Sequence, residues 1–145
     1  MKTKILSLLM AIIMVIGLMP VSVWAVDNTF NISEGDITIA AGTTAGTLKV
    51  TYGSSDPQST TDNIDSNQTI TITGDPTSNK ITVNSDIPDT INISLDNVSI
   101  NIDTACAFSI GSGSIVNLTL LGTNTLTSAG IYTQGLVCLK VQSLI

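Results

Sequence analysis

The side chains of this sequence that could do chemistry are carboxylates, and several come in close pairs. Asp86 and Asp89 share the segment SDIPD, while Asp96 and Asp103 bracket the segment NVSINI. Calcium takes six to eight oxygen ligands from carboxylates, carbonyls and water, and turns between strands can supply all three. The predicted calcium ligands are Asp86, Asp89, Asp96 and Asp103. The alternative is that these aspartates fill turn positions and keep the chain soluble.

Catalysis would need partners that the sequence lacks. The chain has no His, and all five of its cationic residues are Lys, so a Ser nucleophile has no imidazole base. Lys49 and Lys80 lie outside the acidic segments, so neither is placed as a base beside a carboxylate. We predict that the protein is not an enzyme.

The charge balance limits the class of partner. The chain carries eleven acidic residues against five lysines, a formal net charge of −6. Beyond residue 25 only Lys49, Lys80 and Lys140 remain, and the charge becomes −8. Binding to nucleic acid depends on Lys and Arg that displace counterions from phosphates. We therefore expect no nucleic-acid partner.

Residues 1–25 have the features of a signal peptide. Lys2 and Lys4 precede an uncharged apolar run over residues 5–19, and the segment Val23-Trp24-Ala25 provides a cleavage site. The apolar run is shorter than the ~18–20 residues that a membrane span needs. We predict a secreted or extracellular protein, associated with the cell surface in one interpretation, that has no membrane contact after cleavage.

The elements that position the acids are predicted to be short β-strands. Apolar and polar residues alternate with period two, and Gly, Asp, Asn, Ser and Pro separate the alternating runs. No run has the spacing of an amphipathic helix, so the predicted fold class is all-β. The predicted strands are 37–40, 47–52, 69–73, 80–84, 91–95, 98–102, 107–110 and 116–120.

The second half of the chain contains an internal sequence repeat. The segment INISLDN (91–97) aligns with VNLTLLG (116–122), so that Leu95 falls on Leu120. A period near 25 with three short strands predicts a short right-handed parallel β-helix, in which equivalent residues stack ~4.8 Å apart. The alternative is an antiparallel β-sandwich, but that fold favours Asn-Gly or Asp-Gly hairpins, and the chain contains neither dipeptide.

The same alignment predicts a structural corner at Asn97 and Gly122. Asn and Gly enter the left-handed region of backbone space more readily than other residues, so both are expected to have positive φ. Alternation also predicts the orientation of the other side chains. Those expected to point inward are Ile70, Ile72, Val83, Ile91, Ile93, Leu95, Val98, Ile100, Phe108, Ile110, Val116, Leu118, Leu120 and Leu126. Those expected to point outward are Thr71, Thr73, Ser94, Ser99, Thr119 and Thr125.

The predicted organisation has four parts. The signal peptide (1–25) precedes an N-terminal β cap region (26–66), the parallel coils (67–135), and an irregular tail or truncated coil (136–145). In the first coil, TITIT (69–73) and KITVN (80–84) are assigned to the second and third strand positions. Cys106 and Cys138 are predicted to be free thiols, because Cys138 falls past the position that stacks on Cys106.

The sequence resembles a known family between about Phe30 and Gly135. The segments NISEGDITIAAGTTAGTLKVTYG, NQTITITG, ISLDNVSIN, ACAFSIGSGS and VNLTLLGTNTLTSAG look like the carbohydrate-binding β-helix domains of secreted Firmicutes proteins. The resemblance implies a right-handed parallel β-helix that binds acidic plant polysaccharide with calcium, as the N-terminal fragment of a larger surface protein with further coils or domains.

The resulting expectation is a secreted, non-catalytic carbohydrate-binding module with calcium as cofactor and polysaccharide as partner. Aromatic residues beyond position 25 are limited to Phe30, Tyr52, Phe108 and Tyr132, which is few for stacking platforms. No polysaccharide-binding residue is assigned from the sequence. The alternative is a passive stalk or adhesin segment of a bacterial cell-surface protein.

Overall fold

The computed structural model describes residues 28–75, 77–128 and 136–139, so the predicted signal peptide lies outside it. The described residues form β-strands and one single-turn 3-10 helix at Ile32–Glu34, which confirms the all-β prediction. No helix among them is long and apolar enough to cross a membrane. The strands are β1 (Thr29–Asn31), β2 (Ile37–Ala41), β3 (Thr47–Tyr52), β4 (Ser59–Asp65), β5 (Thr69–Thr73), β6 (Ile81–Val83), β7 (Thr90–Asp96), β8 (Ser99–Ile102), β9 (Phe108–Gly111), β10 (Ile115–Leu121), β11 (Thr125–Ser128) and β12 (Leu136–Leu139).

The strands build parallel and mixed sheets. The first sheet has the order β1-β5-β7-β10 and is parallel throughout. The second pairs β8 with β11, also in parallel. The third has the order β12-β9-β6-β2-β3-β4, with parallel pairs at its centre and antiparallel pairs towards both edges. From β7 to β12 the chain visits the first, second and third sheets in turn, and β10, β11 and β12 each pair with the previous strand of their sheet.

The predicted register of the repeat is confirmed. Val116 pairs with Ile91 and Leu120 pairs with Leu95 along the whole length of β7 and β10. A hydrogen bond between the side chains of Asn117 and Asn92 links positions 25 residues apart. The period read from the sequence is therefore the spacing between stacked strands.

The predicted corner is confirmed as well. Asn97 has φ 54° and Gly122 has φ 65°. The Asn97 side-chain oxygen accepts a hydrogen bond from the backbone N–H of Thr123, at 3.1 Å, and a Cβ on Gly122 would collide with the Asn97 amide. Glycine is needed at position 122 both for its positive φ and because the asparagine occupies the space of a side chain.

One assignment within the first coil is wrong. TITIT (69–73) was assigned to the second strand position, but β5 pairs with β7 and so occupies the first. The second position of that coil is a single bridge between Thr77 and Ile100. The third position is as predicted, because β6 pairs with β9. The link between β5 and β6 is too short to hold a full middle strand, which the alternation of TITIT alone cannot reveal.

The core runs between the sheets and consists mainly of Ile, Leu and Val. Ten of the fourteen residues predicted to point inward are buried. The other four, three on β10 and one on β9, are partly buried and pack against the edge of the core. The partly buried ones are Ile110, Val116, Leu118 and Leu120. Among the described residues, β10 has a ladder on one side only, so its apolar side chains are covered from one side.

Ser94 departs from its predicted exposure. Alternation assigned it outward with Thr71 and Thr119, yet it is 5% exposed. Its two ladder partners are Thr71 and Thr119, whose larger side chains flank the small serine and exclude water from it. The Ser94 hydroxyl is buried and has no hydrogen-bond partner among the described residues.

A matched pair of serine substitutions tests this difference. Ser128 is similarly buried, but its hydroxyl accepts a hydrogen bond from the backbone N–H of Ala107 at 2.9 Å. Ser128→Ala should lower the free energy of unfolding by ~1–3 kcal/mol, because it leaves a buried donor unsatisfied. Ser94→Ala should be neutral or stabilising, because it removes an unpartnered buried hydroxyl. Urea unfolding of the two variants measures both effects, and equal losses would contradict the assignment.

Residues 136–139 do not add a parallel strand to the third sheet. β12 pairs antiparallel with β9, with Cys138 opposite Ser109. Cys106 and Cys138 form a disulfide with Cα atoms 5.7 Å apart, so the prediction of two free thiols is wrong. That prediction assumed continued parallel winding, whereas reversal of the chain brings Cys138 back beside the start of β9. A disulfide indicates an oxidising, extracellular-type environment.

The N-terminal β cap region supplies β1 to the first sheet and β2, β3 and β4 to the third. An ion pair joins this region to the residue before β6. The Lys80 ammonium lies 2.8 Å from an Asp36 carboxylate oxygen, and the other Asp36 oxygen accepts from the Lys80 backbone N–H at 3.0 Å. Asp36 therefore fixes the start of β6 beside β2.

Candidate functional site

The outer surface of the first sheet is a regular array of polar side chains. Ile70, Ile72 and Leu95 are buried in the core, so the alternate residues of the same strands face away from it. These outward residues stand in rows across the parallel strands and are called the polar face. Its rows are Thr69, Asn92 and Asn117; Thr29, Thr71, Ser94 and Thr119; and Asn31, Thr73, Asp96 and Leu121.

The spacing of the polar face is set by the sheet. Neighbouring strands lie ~4.8 Å apart, and residues two apart on one strand lie ~6.6 Å apart. Hydroxyl and amide groups therefore recur on a fixed grid, and each can donate and accept hydrogen bonds. Part of this capacity is used internally, because the Asn117 amide donates to Asn92 at 3.2 Å and the Asn92 amide donates to the Ser66 carbonyl at 3.4 Å.

One carboxylate belongs to the polar face. Asp96 ends β7 in the row with Thr73 and is half-buried. One of its oxygens accepts a hydrogen bond from the Asn97 amide at 2.7 Å. The other oxygen has no partner among the described residues, so Asp96 presents a negative group to any ligand that lies along the strands.

The other predicted calcium ligands lie elsewhere. Asp86 is an exposed corner residue with φ 57°, and Asp89 is half-buried just before β7. Asp96 stands at the far end of β7, seven residues long, which separates it from Asp89 by ~20 Å at ~3.3 Å per residue. Asp103 is exposed after β8. The structure does not bring the four aspartates together.

A resident calcium ion does not fit the residues that the structure places together. Within the described ranges no three His, Cys, Asp or Glu side chains are grouped as metal ligands. Calcium needs six to eight oxygens, and Asp96 is the single carboxylate on the polar face. Calcium could join Asp96 only if most of the remaining oxygens came from a ligand and from water.

A different aspartate is held by the fold itself. Asp62 lies in β4 opposite an irregularity of the β3 ladder at Leu48 and Val50. Its carboxylate accepts hydrogen bonds from the backbone N–H of Asn63 at 2.7 Å and from the backbone and hydroxyl of Thr43. The hydrogen bond from Asn63 is the largest cause that holds the pKa of Asp62 below its usual value, and Lys49 adds a smaller attraction.

These hydrogen bonds predict a pH dependence of stability. A carboxyl group whose pKa is lower in the folded than in the unfolded chain stabilises the fold above the unfolded value, ~3.9 for Asp, and that contribution is lost as pH falls through the folded pKa. The Asp62→Asn variant is therefore expected to lose less stability than the wild type when the pH is lowered from about 5 to about 3, the range in which the Asp62 carboxyl begins to take up a proton. The measurement is urea unfolding at both pH values.

The control for this experiment is Asp103→Asn. Asp103 is exposed and makes no hydrogen bond or ion pair with another described residue. Its substitution should leave the acid sensitivity of the wild type unchanged. An equal change in both variants would show that overall charge, and not the contacts of Asp62, sets the acid response.

An open cleft of about 420 Å³ lies at the N-terminal part of the fold. Its walls are the 3-10 helix and the segment that follows β3. The two walls touch at Gly35, where an added Cβ would come within 2.6 Å of the Ser54 nitrogen. The side chains that line the cleft are those of Ser33, Glu34, Tyr52, Ser54, Ser55 and Ser59.

Comparison with protein-family models, with curated proteins and with solved structures finds no match. The fold is a mostly-β domain with parallel sheets. The resemblance to carbohydrate-binding domains of secreted Firmicutes proteins therefore stays an expectation.

Alternation along the strands predicts part of the polar face, because it assigns four of its eleven residues, Thr71, Thr73, Ser94 and Thr119, to the outward side. The cleft has no comparable signal in the sequence. Glu34 and Tyr52 are eighteen positions apart and meet because two glycines allow backbone contact. The pairs Gly35-Asp36 and Gly53-Ser54 signal turns, but neither indicates that the two turns adjoin.

Proposed function

We propose that this protein is a secreted, non-catalytic carbohydrate-binding module that binds acidic polysaccharide along the polar face, with calcium as a bridging ion. The observation that carries the proposal is the grid of hydroxyl and amide groups in register across parallel strands. A polysaccharide presents hydroxyl groups at regular intervals, and each can exchange hydrogen bonds with Ser, Thr and Asn.

The proposal includes the finer architecture. In the first and second sheets the chain returns in parallel beside its previous strand. This is consistent with a short right-handed β-helix, because parallel crossover connections are right-handed in nearly all cases. The antiparallel sandwich is less compatible with the parallel ladders of the first and second sheets. A β-helix suits a module that binds a long polymer, because each coil adds the same row of groups to one surface.

Charge gives calcium its part in the proposal. A polyuronate is an anion, and the acidic chain repels it. Asp96 on the polar face and a uronate carboxylate can share one calcium ion, with water and sugar hydroxyls completing the oxygen ligands. Asp86, Asp89 and Asp103 stand outside the rows of the polar face, so a calcium ion at any of them is separate from this bridge.

Retention on insoluble polymers tests the proposal. The protein is mixed with polygalacturonate or with cellulose, in calcium or in a chelator, and the bound fraction is measured. We expect retention on polygalacturonate in calcium and its loss in the chelator, because the bridging ion is removed. Asp96→Asn should lower this retention, and Asp103→Asn should not.

A threonine pair tests the surface. Thr119 lies on the polar face, whereas Thr127 is exposed on β11 in the second sheet. Thr119→Ala should weaken retention on polygalacturonate and Thr127→Ala should not. Retention that survives the chelator would contradict the calcium bridge.

The competing function is a passive stalk or adhesin segment. The hydrogen bond between Asn92 and Asn117 favours it, because the polar face then satisfies part of its own hydrogen-bonding capacity. A stalk predicts no retention on either polymer in calcium or in chelator. That result would replace the binding proposal.

A further inference from the structure

We infer that the N-terminal cleft is a second carbohydrate site, which binds one neutral pyranose unit without calcium. The cleft shares no lining residue with the polar face, since its lining comes from the 3-10 helix, the end of β3 and the start of β4. The inference rests on the proposed function only for the class of ligand. The shape, side-chain chemistry and charge of the cleft support the site independently.

The cleft is built from fixed parts. The backbone contact of Gly35 with Gly53 and Ser54 sets the distance between its walls. The Gln58 amide donates a hydrogen bond to the Gly53 carbonyl at 2.7 Å and so holds the segment after β3. A site that is formed before the ligand arrives needs less ordering on binding.

Tyr52 gives the cleft its apolar surface. The ring is half-buried, packs against the margin of the core, and contacts Phe30 edge to face with centroids 5.1 Å apart. This contact fixes the ring at the side of the cleft. A pyranose ring has an apolar C–H face and a polar rim, so a fixed tyrosine with a polar edge matches both parts.

The polar groups of the cleft are available to a ligand. Neither the Tyr52 hydroxyl nor the Glu34 carboxylate forms a hydrogen bond or ion pair with another described residue. Ser54 and Ser59 add hydroxyls that both donate and accept. The volume of about 420 Å³ lies in the range of small-molecule sites, ~300–1,000 Å³. The serine-rich lining favours a polyhydroxylated ligand over an apolar one.

The charge of the cleft selects a neutral sugar. Glu34 is the only charged side chain among the described residues of the lining, and Lys80, just before β6 in the third sheet, is engaged by Asp36 at 2.8 Å. A uronate would place a second carboxylate beside Glu34, and like charges repel. A neutral glycoside can instead donate a hydroxyl to the Glu34 carboxylate, a charge-assisted hydrogen bond.

Nitrogen-15 NMR of the full chain in chelator tests the inference. The protein is titrated to tens of millimolar with the methyl glycosides of glucose, galactose and mannose, and separately with galacturonate. We expect at least one neutral glycoside to shift the amide signals of Ser33, Glu34, Gly53 and Ser54. Galacturonate should shift them much less.

Variants of the lining make the test specific. Tyr52→Ala should weaken the neutral glycoside by about 3- to 10-fold, whereas Tyr52→Phe should retain most of the affinity. Thr51→Ala is the matched control, because Thr51 lies on the opposite face of β3. Glu34→Gln changes an exposed side chain and does not depend on the packing of Tyr52. It should reduce the discrimination between the neutral glycoside and galacturonate several-fold.

The outcomes separate the two sites. If no glycoside shifts the cleft signals while the polymer is still retained, the cleft inference is overturned and the proposed function stands. Shifts in the cleft without polymer retention support the inference and overturn the proposed function. Equal shifts with galacturonate and neutral glycosides overturn the selectivity for neutral sugars.

Discussion

Replacing Leu95 by alanine is expected to lower the free energy of unfolding by ~2–5 kcal/mol. Leu95 is fully buried, and its strand has a parallel neighbour on each side, with Ile72 and Leu120 as its ladder partners. A cavity at this position has packed side chains above and below it, so the surroundings can relax only partly. Urea unfolding measures the loss.

Leu120→Ala is the matched substitution for this experiment. Leu120 stacks on Leu95 but is only partly buried, because β10 has a described neighbour on one side. Since the loss scales with the apolar area removed from water, Leu120→Ala should cost about half as much or less. Equal losses would mean that Leu120 is as enclosed as Leu95 and that a further element covers β10.

Removal of the disulfide is expected to have the second large effect. The bond between Cys106 and Cys138 joins residues 32 positions apart. In the loop-entropy description, opening a loop of this length costs ~3–4 kcal/mol through the greater freedom of the unfolded chain. Reduced protein should therefore unfold at a clearly lower urea concentration than oxidised protein.

The control is the double variant Cys106→Ser with Cys138→Ser, whose stability should not respond to reductant. Thiol titration of the unreduced, denatured wild type should detect no free thiol. An unchanged unfolding midpoint after reduction would contradict the stabilising role of the bond. Detection of two thiols in the unreduced protein would contradict the bond itself.

The stacking of the chain could be predicted because two independent patterns agree. Period-two alternation in residues 91–95 and 116–120 identifies the strands, and the shared corner at Asn97 and Gly122 fixes their register. A slip by one residue would have turned Leu120 away from the core. The register in the structure is the one that keeps both the alternation and the corner.

Other elements could not be predicted because they depend on distant pairing. Residues of β4 read STTDNID and have Ile64 as their buried apolar residue, so β4 is a strand because β3 pairs with it. The antiparallel direction of β12 has no local signature, although the loss of Thr and Asn after position 135 marks a change in structure. The free-thiol prediction failed through this reversal.

In the candidate site, too, the features set by a local sequence pattern could be predicted and the others could not. The rows of the polar face follow from alternation, which acts over two residues. The grouping of carboxylates does not, since Asp89 and Asp96 are close in sequence but stand at opposite ends of an extended strand. An extended strand separates successive residues by ~3.3 Å, so residues that are near each other in sequence can lie far apart in space. The prediction of one calcium site from four aspartates treated sequence distance as spatial distance.

The corner that follows the first sheet has a consequence for how such a chain can lengthen. A Cβ on Gly74 would meet the side chain of Asn31, and a Cβ on Gly122 would meet that of Asn97. Asn31 stands one position before this corner, in the row of Thr73 and Asp96. The corner itself places Gly74, Asn97 and Gly122 in successive layers, and the Asn97 amide occupies the space that a side chain on Gly122 would need. Duplication of the single layer that contains Asn97 would set two asparagine side chains in the space of one. A copy of the layer that contains Gly122 avoids this clash, because glycine has no Cβ at the corner. Growth by tandem duplication is therefore expected to copy the glycine layer and not the asparagine layer.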